Sequence, residues 1–387
     1  MMRFPGNDPL CMENRMLVAS ATGVATYARA LRVAQQSLSN NALLLSGGRA
    51  SAPDSSQSRL DRWRRSLRSV VPAGARAHAG ADGFVRQDLF RLGQAFFTLH
   101  GRLMPVHVPG PAGIMHWSYP VPLRVTGWRN LYTVHDVIPL THPELSPIDA
   151  VRHRRLLHQI AQCADRLVTV SRAAAGEIAT TLDLSPERVV DCSQPVAVES
   201  IDALPPLPPG LEAGRYFLVC GTVEPRKNVG RIVAAYRRSK STMPLVIAGP
   251  DGWHAQDVAV AIAQAPGVTR LHYQSRAAML GLLARARALL MPSLAEGFGL
   301  PVAEAMALST PVLTSAGGAL AETAGKAALL VDPLDVAAIA AAIAELAHDD
   351  ARCHTLAAAG RTRAHLFDAA SFADRLAAVY GSLNGRG

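Results

Sequence analysis

Short apolar runs alternate with helical stretches through the C-terminal half of the chain. The runs are RYFLVCG, PLVIAG, TRLHYQ, ALLMPS, TPVLTS and AALLVD, and stretches typical of helices separate them. Uninterrupted apolar runs of this length predict strands that are buried on both faces, and their alternation with helices predicts a parallel sheet covered on both sides. We therefore expect an α/β domain in this half.

The N-terminal half has the same organisation in a less regular form. NALLLSG, NLYTVHDVIPL, DRLVTVS and ERVVDCSQP predict strands, and PLCMENRML predicts a weaker first strand. ATGVATYARALRVAQQSL, AVRHRRLLHQIAQCA and RAAAGEIATTL predict helices, the last with Ser171 as its N-cap. This half is expected to form a second α/β domain.

Four prolines between 205 and 209 lie at the boundary between the two halves, where they favour a stiff, extended linker. The predicted fold class is α/β, with two Rossmann-like doubly wound parallel-sheet domains facing a central cleft. The expected units are residues 1–200, a linker at 201–214, a second domain at 215–365 and a C-terminal helix at 366–387.

Five residues follow directly after predicted strands. Doubly wound sheets bind ligands at the carboxyl ends of their strands. We therefore expect one cleft to be surrounded by Gly23, His135, Ser171, Gly221 and Glu296.

The composition of the 387 residues excludes several classes of protein. No run of about 18 apolar residues predicts a membrane-spanning helix, and no apolar segment after MMRFPGNDPL predicts a signal peptide. The five cysteines are far apart and form no CxxC pair, which indicates a reducing cytoplasm and argues against zinc. They are Cys11, Cys163, Cys192, Cys220 and Cys353.

The positive charge is concentrated in the first half. Residues 1–200 contain 22 arginines and no lysine against 15 acidic residues, a net charge of +7 out of +9 for the chain. The densest segment, 58–71, has apolar residues at helical spacing beside arginines, which is typical of a helix lying on an anionic membrane or of a solvated helix packed on its own domain. Without an aromatic and basic platform, nucleic acid is not an expected partner.

The sequence EGFGLPVAEAM, from Glu296 to Met306, predicts an anion site. It follows the apolar run ALLM and leads into a helix with Pro301 in its first turn, so that the free N–H groups of that turn face a glycine loop and favour phosphate. Two glutamates flank the loop, and carboxylates accept hydrogen bonds from hydroxyls. A nucleotide sugar has hydroxyls on both sides of a diphosphate. The alternative is that Glu304 only complements the helix dipole and that Glu296 is a solvated loop acid.

A second motif, VCGTVEPRKNV, places Arg226 and Lys227 between a strand and a helix. Fixed cations stabilise the charge of a departing nucleoside diphosphate. Only three lysines occur in the chain against 36 arginines, so a lysine at this position is informative. The alternative is a surface turn with two ordinary cations.

GTVEPRKN, PSLAEGFGLPVAEAMALSTPV and AALLVDP together resemble the retaining glycosyltransferases of family 4, which have the GT-B fold. YTVHDVIPLTHPE and ATGVATYARAL resemble their N-terminal half, and the HDVIPLTHPE form is similar to bacterial mannosyltransferases of lipopolysaccharide or exopolysaccharide synthesis. The resemblance covers residues 9–380. It implies an acceptor-binding first domain, a nucleotide-sugar-binding second domain and a C-terminal helix that crosses back to the first.

The resemblance implies a role for each matching residue on the donor side. Glu296 would hold the hydroxyls of the donor sugar, and Glu304 would bind the ribose. Arg226 and Lys227 would clamp the diphosphate. Backbone N–H groups for the sugar and diphosphate would come from Phe298, Gly299 and Leu300.

Further implied contacts lie at the ends of other strands. Gly221 and Thr222 would border the donor, with Thr222 replacing the arginine that some relatives carry after the glycine. Gly23 would let the first domain approach the phosphates. His135 would contact the donor sugar or the acceptor and not act as a general base; the alternative is a structural, hydrogen-bonded histidine.

The resemblance implies a metal-independent hexosyltransferase without a cofactor, since no D-x-D occurs. GDP-mannose is the first donor expected and a UDP-sugar the second. The acceptor would be a carbohydrate or a polyprenyl-linked sugar at the inner face of the plasma membrane. Alternatives are a non-catalytic nucleotide-sugar-binding scaffold and, more remotely, a GT-B epimerase or phosphorylase; an NAD-dependent enzyme would require G-x-G-x-x-G, which ATGVATYA lacks.

Overall fold

The computed structural model describes residues 8–18, 22–47, 74–198 and 203–384. The basic segment 58–71 lies outside these residues, so its predicted helix stays a prediction. Among the described residues, no helix has the length and apolar character needed to cross a membrane.

The first domain contains an eight-stranded sheet in the order β11-β10-β9-β7-β1-β2-β5-β4, and a three-stranded sheet in the order β3-β6-β8. Neighbouring strands are parallel except for β4 and β5. The strands are β1 Leu10–Glu13, β2 Ala42–Ser46, β3 Ala75–Arg76, β4 His78–Gly80, β5 Gly83–Val85, β6 Met104–His107, β7 Ile114–Trp117, β8 Leu123–Val125, β9 Arg129–Thr133, β10 Arg166–Thr169 and β11 Val189–Asp191.

The second domain is a six-stranded parallel sheet in the order β14-β13-β12-β15-β16-β17. Every residue of the four central strands β13, β12, β15 and β16 is buried, as their composition predicts, whereas the edge strands β14 and β17 are partly exposed. The strands are β12 Phe217–Cys220, β13 Leu245–Ala248, β14 Val268–Leu271, β15 Ala288–Met291, β16 Val312–Ser315 and β17 Leu329–Val331.

Helices cover the sheets and connect their strands. In the first domain they are α1 Gly23–Leu38, α2 Leu89–His100, α3 Ile138–Thr141, α4 Ala150–Cys163 and α5 Arg172–Leu182. In the second they are α6 Val229–Ser239, α7 Gln256–Ala263, α8 Arg276–Ala284, α9 Leu300–Ala307, α10 Gly318–Ala324, α11 Val336–His348 and α12 Asp350–Ala364, followed by α13 Ala369–Asn384.

Helix α13 packs on the first domain although it follows the second in the chain. The hydroxyl of Tyr380 lies 2.8 Å from His116 Nδ1 and accepts a hydrogen bond from Gln35 at 3.3 Å. One apolar cluster contains residues of β1, α1, the loop before α9, and α13. This shared core connects the two domains on one side of the cleft.

Candidate functional site

The strand order of the second sheet reverses between β12 and β15, and this point lies at the centre of the site. The chain winds towards β14 on one side and towards β17 on the other, which leaves a crevice at the carboxyl ends of the two central strands. β12 leads to a short 3-10 turn, Pro225–Lys227, and β15 leads to the Glu296 loop. The two predicted motifs therefore lie side by side.

Glu296 pairs with both cations of the other motif. Its carboxylate oxygens lie 2.6 Å from a guanidinium nitrogen of Arg226 and 2.6 Å from Nζ of Lys227. The Glu296 side chain is only 10% exposed, and burial alone would raise its pKa. The charges of Lys227 and Arg226 prevail and lower the pKa to about 2. Glu296 is therefore an anion at neutral pH.

Arg226 also connects the two domains electrostatically. Its Nε lies 2.6 Å from the Glu224 carboxylate. Burial raises the pKa of Asp136, in the first domain, and the charge of Arg226 opposes that shift. The carboxylates of the site thus outnumber its two cations, and Arg226 is shared among them.

The glycine loop is shaped by contacts on both sides. A Cβ on Gly297 would lie 2.3 Å from the carbonyl oxygen of His135, so this glycine allows the first domain to approach the loop. Gly299 has φ of +92°, a left-handed conformation that favours glycine, and precedes α9. The Phe298 ring is buried against Phe367, with the ring centres 5.2 Å apart.

The backbone at the start of α9 presents free donors. Among the hydrogen bonds of the described residues, none uses the N–H groups of Phe298, Gly299 or Leu300. Pro301 occupies the first turn, as the sequence predicts. This arrangement is suited to bind an anion or sugar oxygens.

Glu304 is buried on α9, in the turn that follows. Its carboxylate lies 2.7 Å from a guanidinium nitrogen of Arg276, which also donates to the carbonyl of Ala197 at 3.2 Å. Burial raises the pKa of Glu304, and Arg276 opposes the shift. No sequence pattern points to Arg276, which lies 28 residues before Glu304, on α8.

His135 lies at the end of β9 and faces the glycine loop through its backbone. Its Nε2 donates to the carbonyl of Ser118 at 2.9 Å, and its ring meets the edge of the Tyr27 ring at a centre distance of 4.9 Å. Burial lowers the pKa of the imidazole to about 4. His135 is therefore neutral at pH 7, with the proton on Nε2 and an acceptor lone pair on Nδ1.

The remaining predicted residues border the site less directly. Gly221 has φ of +109°, and a Cβ there would meet Lys227 Cε at 3.7 Å. The methyl group of Thr222 packs closely on Gly252. Gly23 is the first residue of α1, and a Cβ there would meet no described atom within 4 Å. The approach of Gly23 to a phosphate stays a prediction, because residues 19–21 lie outside the described chain.

A cavity of about 250 Å³ lies between the domains beside Glu296. The first domain contributes Ile138, His142 and Glu177 to its wall, and the second contributes the Glu296 loop and the residues around Ser315. His142 and Glu177 are not among the site residues predicted from the sequence. Glu177 could have been found from the sequence, because it lies in the second turn of the helix that begins after Ser171, and Ser171 follows a predicted strand.

The start of α5 in the first domain also forms hydrogen bonds with the second domain. The Ser171 hydroxyl donates to the carbonyl of Gly297 at 2.7 Å. The Glu322 carboxylate accepts from the backbone N–H of Ala173 at 2.7 Å and from that of Arg172 at 3.1 Å. Glu322 of the second domain thus acts as a cap for a helix of the first.

The chain is similar to known proteins in both sequence and fold. Residues 210–363 match the family model described as glycosyl transferases group 1. The chain is 34% identical to O-antigen chain mannosyltransferase B of Escherichia coli over 254 residues, 62% of this chain and 66% of that one. The match therefore spans about two thirds of the length of this relative, and 26% of the length of a second mannosyltransferase relative.

Solved structures share the fold over nearly the whole chain. The sucrose-phosphate synthase of Thermosynechococcus elongatus has a TM-score of 0.69 at 19% identity, covering 98% of this chain and all (100%) of that one. Anabaena HepE, in complex with UDP and glucose, has a TM-score of 0.68 at 13% identity, covering 97% and 100%. The predicted GT-B fold class, two facing parallel-sheet domains, is confirmed.

Proposed function

We propose, on the premise that residues 210–363 form a glycosyl transferases group 1 domain, that the chain is a retaining hexosyltransferase. It would transfer a sugar from a nucleotide-sugar donor to a carbohydrate or polyprenyl-linked acceptor in the synthesis of a cell-surface polysaccharide. One observation carries the proposal: the anionic Glu296, two buried or half-buried cations and three free N–H groups converge at one switch point.

The roles follow from the chemistry of each group. Lys227 and Arg226 would stabilise the charge that develops on the departing diphosphate. The N–H groups of residues 298–300 would bind donor oxygens, and Glu296 would accept from sugar hydroxyls. The Glu304 carboxylate would bind the ribose. Nδ1 of the neutral His135 would accept from a hydroxyl of the donor sugar or acceptor.

Mannose is the first sugar proposed, and GDP-mannose the first donor. The name of the Escherichia coli relative supports a mannosyl group. A UDP-sugar is the second candidate, because the Anabaena neighbour is described with UDP and glucose. The cavity of about 250 Å³ would hold one sugar ring.

Further parts of the proposal concern metal and location. We propose metal-independent transfer, because two cations and the start of α9 supply positive potential where the diphosphate would lie. The enzyme would work in the cytoplasm, at the inner face of the plasma membrane, where a polyprenyl-linked acceptor is accessible.

A transfer assay tests the proposal. The purified chain is incubated with GDP-mannose, UDP-glucose or UDP-N-acetylglucosamine, each with mannose-terminated and polyprenyl-linked acceptors and in excess EDTA. We expect transfer from GDP-mannose, retention of the anomeric configuration by NMR, and a loss in Glu296→Gln. If sugar is transferred only from a UDP-sugar, that sugar nucleotide replaces GDP-mannose as the proposed donor. If activity is lost in EDTA and restored by magnesium, the proposal of metal independence is contradicted.

A non-catalytic scaffold is the rival function. A catalyst of this type releases nucleoside diphosphate slowly from its donor even without acceptor, whereas a binding subunit does not. Calorimetric binding of GDP-mannose with no release of GDP in any reaction would therefore favour the scaffold.

A further inference from the structure

The ends of three strands bring together residues that are distant in the sequence. β9, β7 and β1 are consecutive in the first sheet. Glu13 is the last residue of β1, Ser118 follows β7, and His135 lies just after β9. Because the strands are parallel, all three residues lie at the edge of the sheet that faces the cleft.

Glu13 is fully buried, at 0% exposure, and both of its carboxylate oxygens contact the same residue. Oε2 accepts from the backbone N–H of Ser118 at 3.1 Å, and Oε1 accepts from the Ser118 hydroxyl. The carbonyl of Ser118 in turn accepts from His135 Nε2 at 2.9 Å. Hydrogen bonds on both sides of Ser118 therefore connect Glu13 to the imidazole through that residue.

A carboxyl group at this position is costly. No ion pair to Glu13 occurs among the described residues, and burial raises its pKa to about 7, with Ser118 opposing the shift. Cys11, Tyr27 and Tyr119 are its titratable neighbours, and the charge of Arg15 acts to lower the pKa of Glu13. Buried carboxyl groups without an ion pair destabilise a fold, so their presence calls for a functional reason.

We propose that Glu13 is a positioning residue for His135, acting through Ser118. By holding both polar groups of Ser118, it fixes the Ser118 carbonyl where that carbonyl accepts the Nε2 proton. The imidazole is then kept in one tautomer and one orientation, with Nδ1 available as an acceptor for a sugar hydroxyl. The role of His135 in binding a sugar hydroxyl rests on the proposed function. The hydrogen bonds that connect Glu13, Ser118 and His135 do not depend on it.

A double-mutant cycle separates positioning from general stability. Glu13→Ala, His135→Ala and the double variant are compared with wild type in the transfer assay, with Glu187→Ala, an exposed glutamate of the same domain, as the control. We expect Glu13→Ala to lower kcat roughly ten-fold, within the range of coupling between contacting groups. In the His135→Ala background the same change should have less than about a two-fold effect. Equal losses in both backgrounds would overturn the proposal.

A readout independent of activity uses ¹⁵N-labelled histidine. The His135 signals are identified by their loss in His135→Ala, and in wild type they should report an Nε2-protonated imidazole. Glu13→Ala should move them towards a mixture of tautomers, and Glu13→Gln, which keeps one acceptor, should move them less. Unchanged signals would overturn the proposal. If Glu13→Ala does not fold, as judged by circular dichroism and urea unfolding, Glu13→Gln is used in both experiments.

The two measurements distinguish the inference from the proposed function. If wild type transfers no sugar but the His135 signals depend on Glu13, glycosyl transfer is wrong and the positioning stands. If wild type transfers sugar and the His135 signals do not depend on Glu13, glycosyl transfer stands and the positioning role of Glu13 is wrong.

Discussion

The two cations of the site already form ion pairs with a carboxylate, and a bound diphosphate would have to share these cations with it. Lys227 and Arg226 both pair with Glu296, at 2.6 Å each. Ion pairs of buried groups keep the geometry of a site fixed, and a charge that develops during reaction then meets cations already in place. The same cations keep Glu296 ionised at neutral pH.

Lys227 offers a direct test because the chain has so few lysines. Lys227→Gln should reduce turnover more than it weakens ground-state binding of the donor, because the diphosphate charge grows in the transition state. Lys240→Gln, at the exposed end of α6, is the matched control and should have no effect. Steady-state kinetics measures kcat and KM for both variants, and equal turnover in Lys227→Gln and wild type would rule out the role.

If Glu304 binds the ribose, removing Glu304 and removing its ion-pair partner Arg276 should have different effects on donor binding. Glu304→Ala should weaken donor binding by roughly 1–3 kcal/mol if the carboxylate accepts from ribose hydroxyls. Arg276→Gln removes the ion pair but leaves the carboxylate, so donor binding should be largely kept. Calorimetry with GDP and UDP measures both; equal losses would mean that the ion pair, and not ribose binding, explains the effect.

Glu13 predicts how stability changes with pH. Its pKa is about 7 in the fold, above the ordinary value of 4.5, so the folded state disfavours the ionised form. Wild type should therefore lose stability relative to Glu13→Gln as pH rises from about 4.5 to 7, by up to roughly 3 kcal/mol. Urea unfolding of both proteins at pH 5 and pH 8 measures this difference, and a difference that does not change with pH would contradict it.

At the scale of secondary structure, the local features of the site could be predicted from the sequence. Ala288–Met291 is the buried strand that its apolar run predicts, and Pro301 lies in the first turn of α9. Ser171 caps α5 through its hydroxyl, which accepts from Ala174 N–H at 3.0 Å. Each of these features depends on residues within a few positions of one another, so the sequence pattern is sufficient.

Contacts between distant elements could not be predicted in this way. The hydrogen bonds that connect Glu13 to His135 through Ser118 depend on the order β9-β7-β1, which the sequence pattern does not specify. Gly297 belongs to the predicted anion loop, but its close contact with the His135 carbonyl, 2.3 Å from where a Cβ would lie, has no signal in the sequence. Neither the Arg276 partner of Glu304 nor the cap from Glu322 has a local signal.

Glu322 predicts that one helix of the first domain is stabilised by the second. Its carboxylate accepts from two backbone N–H groups at the start of α5, which satisfies donors that a helix leaves free. Glu322→Ala should weaken the contact by roughly 0.5–2 kcal/mol, the range for losing an N-cap, and should shift the domains towards a more open arrangement. Small-angle scattering should then report a larger radius of gyration.

Arg172→Gln is the control for this prediction. The Arg172 side chain is 81% exposed, so its ion pair with Glu322 should contribute less than about 1 kcal/mol. The backbone contacts remain in this variant, and the radius of gyration should match wild type. An identical scattering profile for Glu322→Ala and wild type would contradict a role of the cap in domain closure.

At the scale of the whole molecule, the two domains differ in charge and in proposed ligand. The nucleotide would bind the second domain; residues 201–387, which include that domain, carry a net charge of +2, while residues 1–200 carry +7. A polyprenyl-linked acceptor would be embedded in a membrane, so a domain that received it would have to approach an anionic surface. A basic first domain is suited to that approach, because polybasic segments are attracted to acidic lipids.

The basic segment 58–71 predicts where this attraction acts. Arg59, Arg62, Arg65 and Arg68 would meet anionic headgroups, each contributing roughly 1 kcal/mol near the surface, and salt should weaken the attraction. Changing these four arginines to glutamine should reduce co-sedimentation with phosphatidylserine vesicles at low salt. GDP or UDP binding should be unaffected, since the nucleotide would lie in the other domain.

The control makes the same change in charge at four exposed arginines of the second domain: Arg237, Arg238, Arg352 and Arg361. Equal loss in the two variants would indicate a general effect of net charge, and wild type that ignores anionic vesicles at low salt would show that the segment packs on its own domain.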